Sequence, residues 1–265
     1  MSYGLSFRDV SLVRTPAAEE ASWGSRTVCT LRPEYGLERL FVRAQSVVPA
    51  CFYPKARGVY YVESGALTAV VRGNDATPSF LGLDKGSVLN VPVATVHGFR
   101  ASAESVIYFF SEGNGPERRQ VDTQGEADRA WRDRPGERVL DAPGHTSDFR
   151  EKYWGTIETV VDDNFAGKRI FIRSGGQSSL EFHTTKVESY FLHAGTVRVG
   201  LRTGRAENRS VVLSAGQSFD VVPGLMHMRI ALADSVIIEV STRDADSDSH
   251  LVEDGTKYTH IDVQD

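Results

Sequence analysis

Short runs that mix apolar side chains with regularly spaced polar ones dominate the chain and predict β-strands. Stretches such as YYVESGALTAVV and SYFLHAGTVRVGL are rich in Val, Tyr and Phe, and Ser-Gly, Ala-Gly or Pro-Gly pairs punctuate such runs. Short strands separated by tight turns are typical of an antiparallel sandwich or barrel. No long helical period appears, so the pattern predicts an all-β protein.

The strand pattern occurs twice. RLFVR at 39–43 matches RIFIR at 169–173 (169 − 39 = 130), and SVIYFFS at 105–111 matches SVIIEVS at 235–241 in the same register. Three further identities share this offset: Gly65 with Gly195, Gly86 with Gly216, and His97 with His227. Agreement in one unbroken register indicates two tandem copies of one domain.

The repeat divides the chain into three parts. We expect a first barrel at 1–112, a linker at 113–150 and a second barrel at 151–265. The linker is polar, charged and rich in Gly and Pro, with one short helix expected around EADRAWRD.

Composition limits the classes of partner. The chain has 265 residues, a net charge of −5 and a pI near 5.8, which argues against nucleic acid or an anionic membrane surface. Two cysteines, Cys29 and Cys51, are too few for a disulfide framework, and neither a membrane-length apolar run nor a secretory signal is apparent. We expect a cytoplasmic homodimer that acts on a small molecule.

The stretch LEFHTTKVESYFLHAG carries the candidate chemistry. Glu181 and His183 alternate along one strand and share a face, and Glu188 can point inward from the next strand. His227 follows a Pro-Gly turn in a later strand. Imidazoles with carboxylates suit a divalent ion, so we expect Mn, Fe, Zn, Ni or Co at these four residues.

The spacing of these residues resembles the two motifs of the cupin superfamily. The first motif is a glycine, five residues, His-x-His, four residues, Glu, six residues and a glycine, and the second is a glycine, five residues, Pro-x-Gly, two residues and His. The matching positions are Gly175, Glu181, His183, Glu188 and Gly195, then Gly216, Gly224 and His227, with Pro223 displaced by one residue. The resemblance implies two tandem jelly-roll barrels.

Glu181 departs from the cupin pattern because it stands where the first histidine is expected. The resemblance implies a metal held by His183, Glu188 and His227, and leaves Glu181 as either a fourth ligand or a general base. In the first copy the equivalent residues are Cys51, Tyr53, Gly58 and His97. A single imidazole cannot hold a divalent ion, so we expect that barrel to be metal-free. VPVATVHGF around His97 also resembles nucleotide-sugar 3,5-epimerases, although a structural His is favoured.

The second copy also resembles the cupin domain of type II mannose-6-phosphate isomerases, through YWGTIE, RIFIR, SLEFHTTKVES, VVPGLMHMRI, IIEVST and DSHLVEDGTKY. This resemblance implies a metal-dependent sugar or sugar-phosphate isomerase or epimerase, with a role in carbohydrate metabolism. Arg229 could bind an anionic group, Lys186 could meet an anionic substrate at the barrel mouth, and Tyr190 could donate a hydrogen bond.

Other functions remain open from the sequence. His183, Glu188 and His227 also have the composition of the facial triad of nonheme Fe(II) oxygenases. Ureidoglycine aminohydrolases resemble this chain in size, in a metal-free first barrel and in a Glu-x-His start to the ligand set. A bicupin that only binds or senses a small ligand is the alternative that is not an enzyme.

Overall fold

The computed structural model describes residues 6–72, 78–113, 117–132, 140–141, 146 and 148–262. The chain forms two compact units. One unit, called here the first barrel, is Ala17–Ser147. The other, the second barrel, combines Met1–Pro16 with Asp148–Asp265. None of the helices in the described part of the chain is long and apolar enough to span a membrane.

The N-terminal segment carries helix α1 (Phe7–Val10) and strand β1 (Val13–Arg14). Strand β1 pairs antiparallel through Val13 with Phe219, and Val10 is buried in the core of the second barrel. This segment, which the sequence assigns to the first barrel, therefore completes the second one. The expected linker boundaries, after residue 112 and at residue 150, remain a prediction.

The first barrel consists of two facing, mainly antiparallel sheets, since side chains from both form one buried core. Its elements are β2 (Ala18–Ala21), β3 (Gly24–Leu31), β4 (Tyr35–Val42), β5 (Val47–Phe52), β6 (Gly58–Ser64), β7 (Ala66–Arg72), β8 (Pro78–Asp84), β9 (Val88–Val91), β10 (Val96–Ala101), β11 (Ser105–Glu112), β12 (Arg119–Gln120), α2 (Gln124–Arg132) and β13 (Leu140–Asp141). Among the described residues the sheet orders are β2-β3-β4-β11-β6-β9 and β12-β5-β10-β7-β8-β13, in which β13 joins β8 in parallel. Helix α2 lies where the sequence predicts a helix.

The second barrel repeats this arrangement. Its elements are β14 (Asp148–Lys152), β15 (Gly155–Asp162), β16 (Phe165–Ile172), β17 (Leu180–His183), β18 (Glu188–Ala194), β19 (Thr196–Thr203), β20 (Arg209–Ser214), β21 (Ser218–Val221), β22 (Leu225–Ala231), β23 (Ser235–Thr242), a 3-10 helix (Asp246–Asp248) and β24 (Ser249–Glu253). Within the described ranges the two sheets run β14-β15-β16-β23-β18-β21-β1 and β20-β19-β22-β17-β24.

The repeat seen in the sequence is a repeat of structure. Strands β4, β6, β9 and β11 begin and end 130 residues before β16, β18, β21 and β23 (165 − 35 = 130) and hold the same places in their sheets. Glycines close equivalent turns, since Gly65 and Gly195 adopt φ values of +90° and +87°, which favour glycine. The predicted all-β fold of two tandem jelly-roll barrels is confirmed.

Candidate metal centre

Two adjacent strands of the second barrel bring three candidate ligands together. Glu181 lies directly opposite His227 in the pairing of β17 with β22, and His183 is two residues further along β17 on the same face. One donor atom from each of the three lies within 4.8 Å of the others. In the described part of the chain, no other set of three His, Cys, Asp or Glu residues is grouped in this way.

Backbone carbonyl groups fix the orientation of both imidazoles. His183 Nδ1 donates to the carbonyl oxygen of Asp248 at 3.0 Å, and His227 Nδ1 donates to that of Leu225 at 3.1 Å. Each ring therefore keeps Nε2 for the interior, in the tautomer that a metal ligand requires. The ring centroids are 5.4 Å apart.

Glu188 reaches the same point from β18 in the opposite sheet. Its Oε1 lies 2.9 Å from His227 Nε2, and its Oε2 lies 3.7 Å from His183 Nε2. The Tyr190 hydroxyl donates to Oε1, and Lys186 Nζ lies 2.8 Å from Oε2. Burial would raise the pKa of Glu188, but Lys186 and the histidines outweigh it and hold that pKa well below its usual value.

The sequence places Lys186 at the barrel mouth, where it could meet a substrate, but in the structure its side chain is buried. Its side chain is 5% exposed, and Nζ also lies 3.1 Å from Glu239 and 3.0 Å from Asp244. Burial would lower the pKa of Lys186, yet the three carboxylates raise it. Lys186 is thus a fixed internal cation that neutralises the carboxylate of Glu188.

Glu239 is the residue that the sequence analysis missed. Its carboxylate contacts Lys186, Lys168 at 3.7 Å and Arg229 at 3.4 Å. A signal for it was present, because Glu239 is a lone acid in the apolar run SVIIEVS, where the first repeat has Phe109. An isolated charge on a buried strand calls for a partner.

Arg229 is buried and already forms ion pairs with two carboxylates. Its guanidinium lies 3.2 Å from Glu181 Oε1 as well as contacting Glu239, and its side chain is 8% exposed. The Ser249 hydroxyl donates to Glu181 Oε2 at 2.7 Å. Burial would raise the pKa of Glu181. The interactions with Arg229 and, second, with His227 outweigh this effect, so the pKa is lowered. Glu181 is therefore an ionised carboxylate held at the edge of the site.

Asp248 organises the turn between β17 and β18, and no sequence motif identifies this residue. Its carboxylate accepts hydrogen bonds from the backbone N–H and hydroxyl groups of Thr184 and Thr185 and from the backbone N–H of Lys186. Burial would raise the pKa of Asp248, but these donors together outweigh it and hold that pKa below its usual range. The turn positions both His183 and Lys186.

These residues fit a metal ion. His227 Nε2 is buried and forms no hydrogen bond, although Glu188 Oε1 lies 2.9 Å away. A buried polar atom without a hydrogen-bond partner is costly unless a ligand completes it. Two imidazoles with one or two carboxylates form a donor set suited to Mn, Fe, Zn, Ni or Co.

A cavity of about 290 Å³ opens next to the cluster. Glu181, with a side chain 25% exposed, and His183 lie in its wall, together with apolar groups such as Trp154 and Ile170. Its charged lining is balanced, with basic residues Arg150, Lys152, Lys168, Lys186 and Arg229 and acidic residues Glu181, Glu188, Glu239, Asp244 and Asp246.

The equivalent place in the first barrel is filled by aromatic rings. His97 Nδ1 donates to the Thr95 carbonyl oxygen at 2.9 Å, and its Nε2 accepts from the Tyr60 hydroxyl at 2.9 Å. Burial lowers the pKa of His97 to about 4, so the ring is neutral. A Cβ placed at Gly58 would lie 2.1 Å from the Phe109 ring, so no side chain fits where the second barrel has Glu188. This geometry supports a structural role for His97.

The second barrel thus encloses two histidines and two glutamates inside a jelly roll. Solved structures of oxalate decarboxylase from Bacillus subtilis are similar in fold. One, a tryptophan-to-phenylalanine variant, has a TM-score of 0.69 and 11% identity over 89% of this chain and 78% of that chain. An arginine-to-alanine variant gives the same score and identity over 92% and 80%.

A third structure of that enzyme, from work on its Mn(II) centres, has a TM-score of 0.67 and 12% identity over 89% of this chain and 78% of that chain. No family model and no curated protein sequence matches the chain. At such low identity the structural likeness shows the fold, so the activity of this chain has to be argued from its own site.

Proposed function

We propose that the second barrel is the site of a metal-dependent enzyme that acts on a small anionic substrate. The observation that carries this is the convergence of Glu181, His183 and His227 within 4.8 Å beside the Glu188 carboxylate, with His227 Nε2 left without a hydrogen bond. In this proposal His183, Glu188 and His227 hold the ion, which the Mn(II) of the fold relatives supports. The ion would supply a Lewis acid that stabilises negative charge on a substrate oxygen.

The finer proposal is isomerisation or epimerisation of a sugar or sugar phosphate by proton transfer between carbons. Glu181 is the supporting residue, because its carboxylate is partly exposed to the cavity whereas Glu188 and Glu239 are 2% and 3% exposed. Arg229 and Ser249 hold Glu181 by one oxygen each, so it is oriented to take a proton and return it. The hydrophobic wall at Trp154 and Ile170 would exclude water beside it.

A second candidate is cleavage of a small carboxylic acid, which the oxalate decarboxylase fold relatives favour. Deuterium incorporation from D2O, release of CO2 and uptake of O2 separate isomerase, decarboxylase and oxygenase on one sample. We expect metal analysis to give about one Mn, Fe, Zn, Ni or Co per chain, and His183→Ala to lose it.

Glu181→Gln provides the decisive variant, because it should retain the ion and lose carbon–hydrogen exchange by about a hundredfold or more. A matched control is Glu151→Gln, since Glu151 is exposed on β14. Absence of stoichiometric metal would refute the metal-dependent enzyme, and turnover unaffected by Glu181→Gln would refute its role as the base.

A further inference from the structure

The end of the cavity opposite the metal centre has its own pair of basic side chains. Arg150 and Lys152 are two residues apart on β14 and both line the cavity, whereas Phe149 and Glu151 lie on the other face of the strand. The same cavity wall includes Glu181 and His183. One continuous space thus connects the metal centre with two cations.

The sheet register sets the distance between the two ends. Arg150 pairs with Ile157, Ile157 with Ile170, and Ile170 with Ile237 on the strand next to β18. Neighbouring strands are about 4.8 Å apart, and β18, which carries Glu188, is the strand beyond β23, so the backbone of Arg150 lies roughly 19 Å from that of β18 across the sheet. Ile157 and Ile170 form an apolar strip between the ends. A ligand that touched both ends would therefore have to be an extended chain with a terminal anion.

Arg150 and Lys152 differ from the inner cations in their freedom to bind. Lys186 and Arg229 are each held by two or more carboxylates. Arg150 Nε lies 3.0 Å from Asp148 Oδ2 but forms no hydrogen bond. The side chain is 36% exposed, and its Nη groups donate no hydrogen bond to any described residue. Lys152 forms no ion pair with any described residue.

Charge balance indicates the sign of the ligand. Five basic and five acidic side chains line the cavity, so its formal charge is zero. A divalent ion at the ligand cluster would leave an excess of two positive charges. Such an excess in a partly desolvated space is stabilised by a ligand of opposite charge. Guanidinium and ammonium groups at the far end suit a carboxylate or a phosphate there.

We propose that Arg150 and Lys152 form a distal anion subsite, so that the substrate carries a metal-binding oxygen-rich head and a second anionic group at the other end of its chain. This rests on the proposed function, because the head is held by the metal centre. The subsite defines the substrate class as phosphorylated or dicarboxylic chains rather than neutral sugars or short acids.

The test is calorimetry on the Mn(II)-loaded full chain with three ligands that share one hydroxy-acid head. Gluconate lacks a distal charge, glucarate ends in a carboxylate and 6-phosphogluconate ends in a phosphate. We expect at least one of the two ligands with a distal anionic group to bind about tenfold or more tightly than gluconate. Arg150→Gln and Lys152→Gln, alone and combined, should remove this gain and leave gluconate binding unchanged, whereas Lys257→Gln, at a residue 83% exposed, should change nothing.

The outcomes separate the two proposals. Failure of Mn(II) to bind, or its binding unaffected by His183→Ala, overturns the proposed function. Mn(II)-dependent gluconate binding without any gain from either distal group overturns the subsite alone. Equal loss of all three ligands in the Arg150 and Lys152 variants also overturns it, as does no Mn(II)-dependent binding of either glucarate or 6-phosphogluconate. A carboxylate gain without a phosphate gain, or the reverse, identifies which anion the subsite takes.

Discussion

Replacing Lys186 with methionine tests whether this residue is the internal counter-charge of the metal centre. Lys186 Nζ lies 2.8, 3.1 and 3.0 Å from Glu188, Glu239 and Asp244. At an effective dielectric constant of about 20, each contact is worth roughly 5–6 kcal/mol. Most of that attraction offsets the desolvation of the buried charges, and removing one partner of such a group costs about 3–5 kcal/mol.

The metal should reverse much of this loss. In metal-free protein we expect Lys186→Met to lower the Tm of the second barrel by about 10 °C, using roughly 3 °C per kcal/mol for a unit of this size. A divalent ion would place new positive charge beside Glu188, the carboxylate that the variant leaves without its ammonium partner. The rise in Tm on adding Mn(II) should therefore be larger in the variant than in the wild type.

Differential scanning calorimetry of the wild type and the variant, each with chelator and with saturating Mn(II), provides the four Tm values needed. Lys257→Met is the control, because its pair with Asp254 is exposed to solvent and should contribute almost nothing to stability. A gap between variant and wild type that stays constant or widens with Mn(II) would refute the idea that lysine and metal neutralise the same carboxylate.

Three further predictions address the surroundings of the centre. Asp248→Asn should lower the free energy of unfolding by about 2 kcal/mol in urea at neutral pH. Because the folded-state pKa of Asp248 is depressed, its stabilising contribution is present above the unfolded pKa of about 3.9 and disappears as pH falls through the folded value. The stabilities of the variant and the wild type should therefore converge in acid. Gly195→Ala would place a Cβ 2.3 Å from the Asp234 carbonyl oxygen and should cost well over 2 kcal/mol, whereas Gly216→Ala, at a similar φ with no atom within 4 Å, should cost about 1 kcal/mol; similar costs would contradict the steric argument. Glu239→Gln should weaken Mn(II) binding roughly tenfold in a titration followed by electron paramagnetic resonance, since Lys186 would then pair more closely with Glu188; an unchanged affinity would exclude this positioning role.

The strands and the ligand positions could be predicted because they depend on short-range patterns. Alternation, turn glycines and a repeat of 130 residues (165 − 35 = 130) locate β4 and β16 and their neighbours. The spacing from Glu181 to His183 and Glu188 predicts which side chains meet. His227 joins them since its strand pairs with β17 directly opposite Glu181.

Residues whose role depends on non-local pairing could not be found this way. Lys186 looks like a solvated turn lysine, and only the fold shows that β23 and the segment after it place Glu239 and Asp244 beside it. Asp248 follows β23 in an irregular polar stretch, where acids are common. The position of β1 was also unpredictable, since two residues of edge strand carry almost no pattern.

The pairing of β1 has a consequence for how the molecule is made. Arg14 and Asp220, which form an ion pair at 2.7 Å, are 206 residues apart, so the start of the chain must wait during synthesis until its partner strand has emerged. Domains generally fold as units in order of synthesis, and this contact is among the last that can form. Until then the hydrogen-bonding edge of β21 has no partner on that side, and an edge of this kind invites pairing between nascent chains. A fragment beginning at Asp148 would lack β1, and this edge of β21 would stay unpaired.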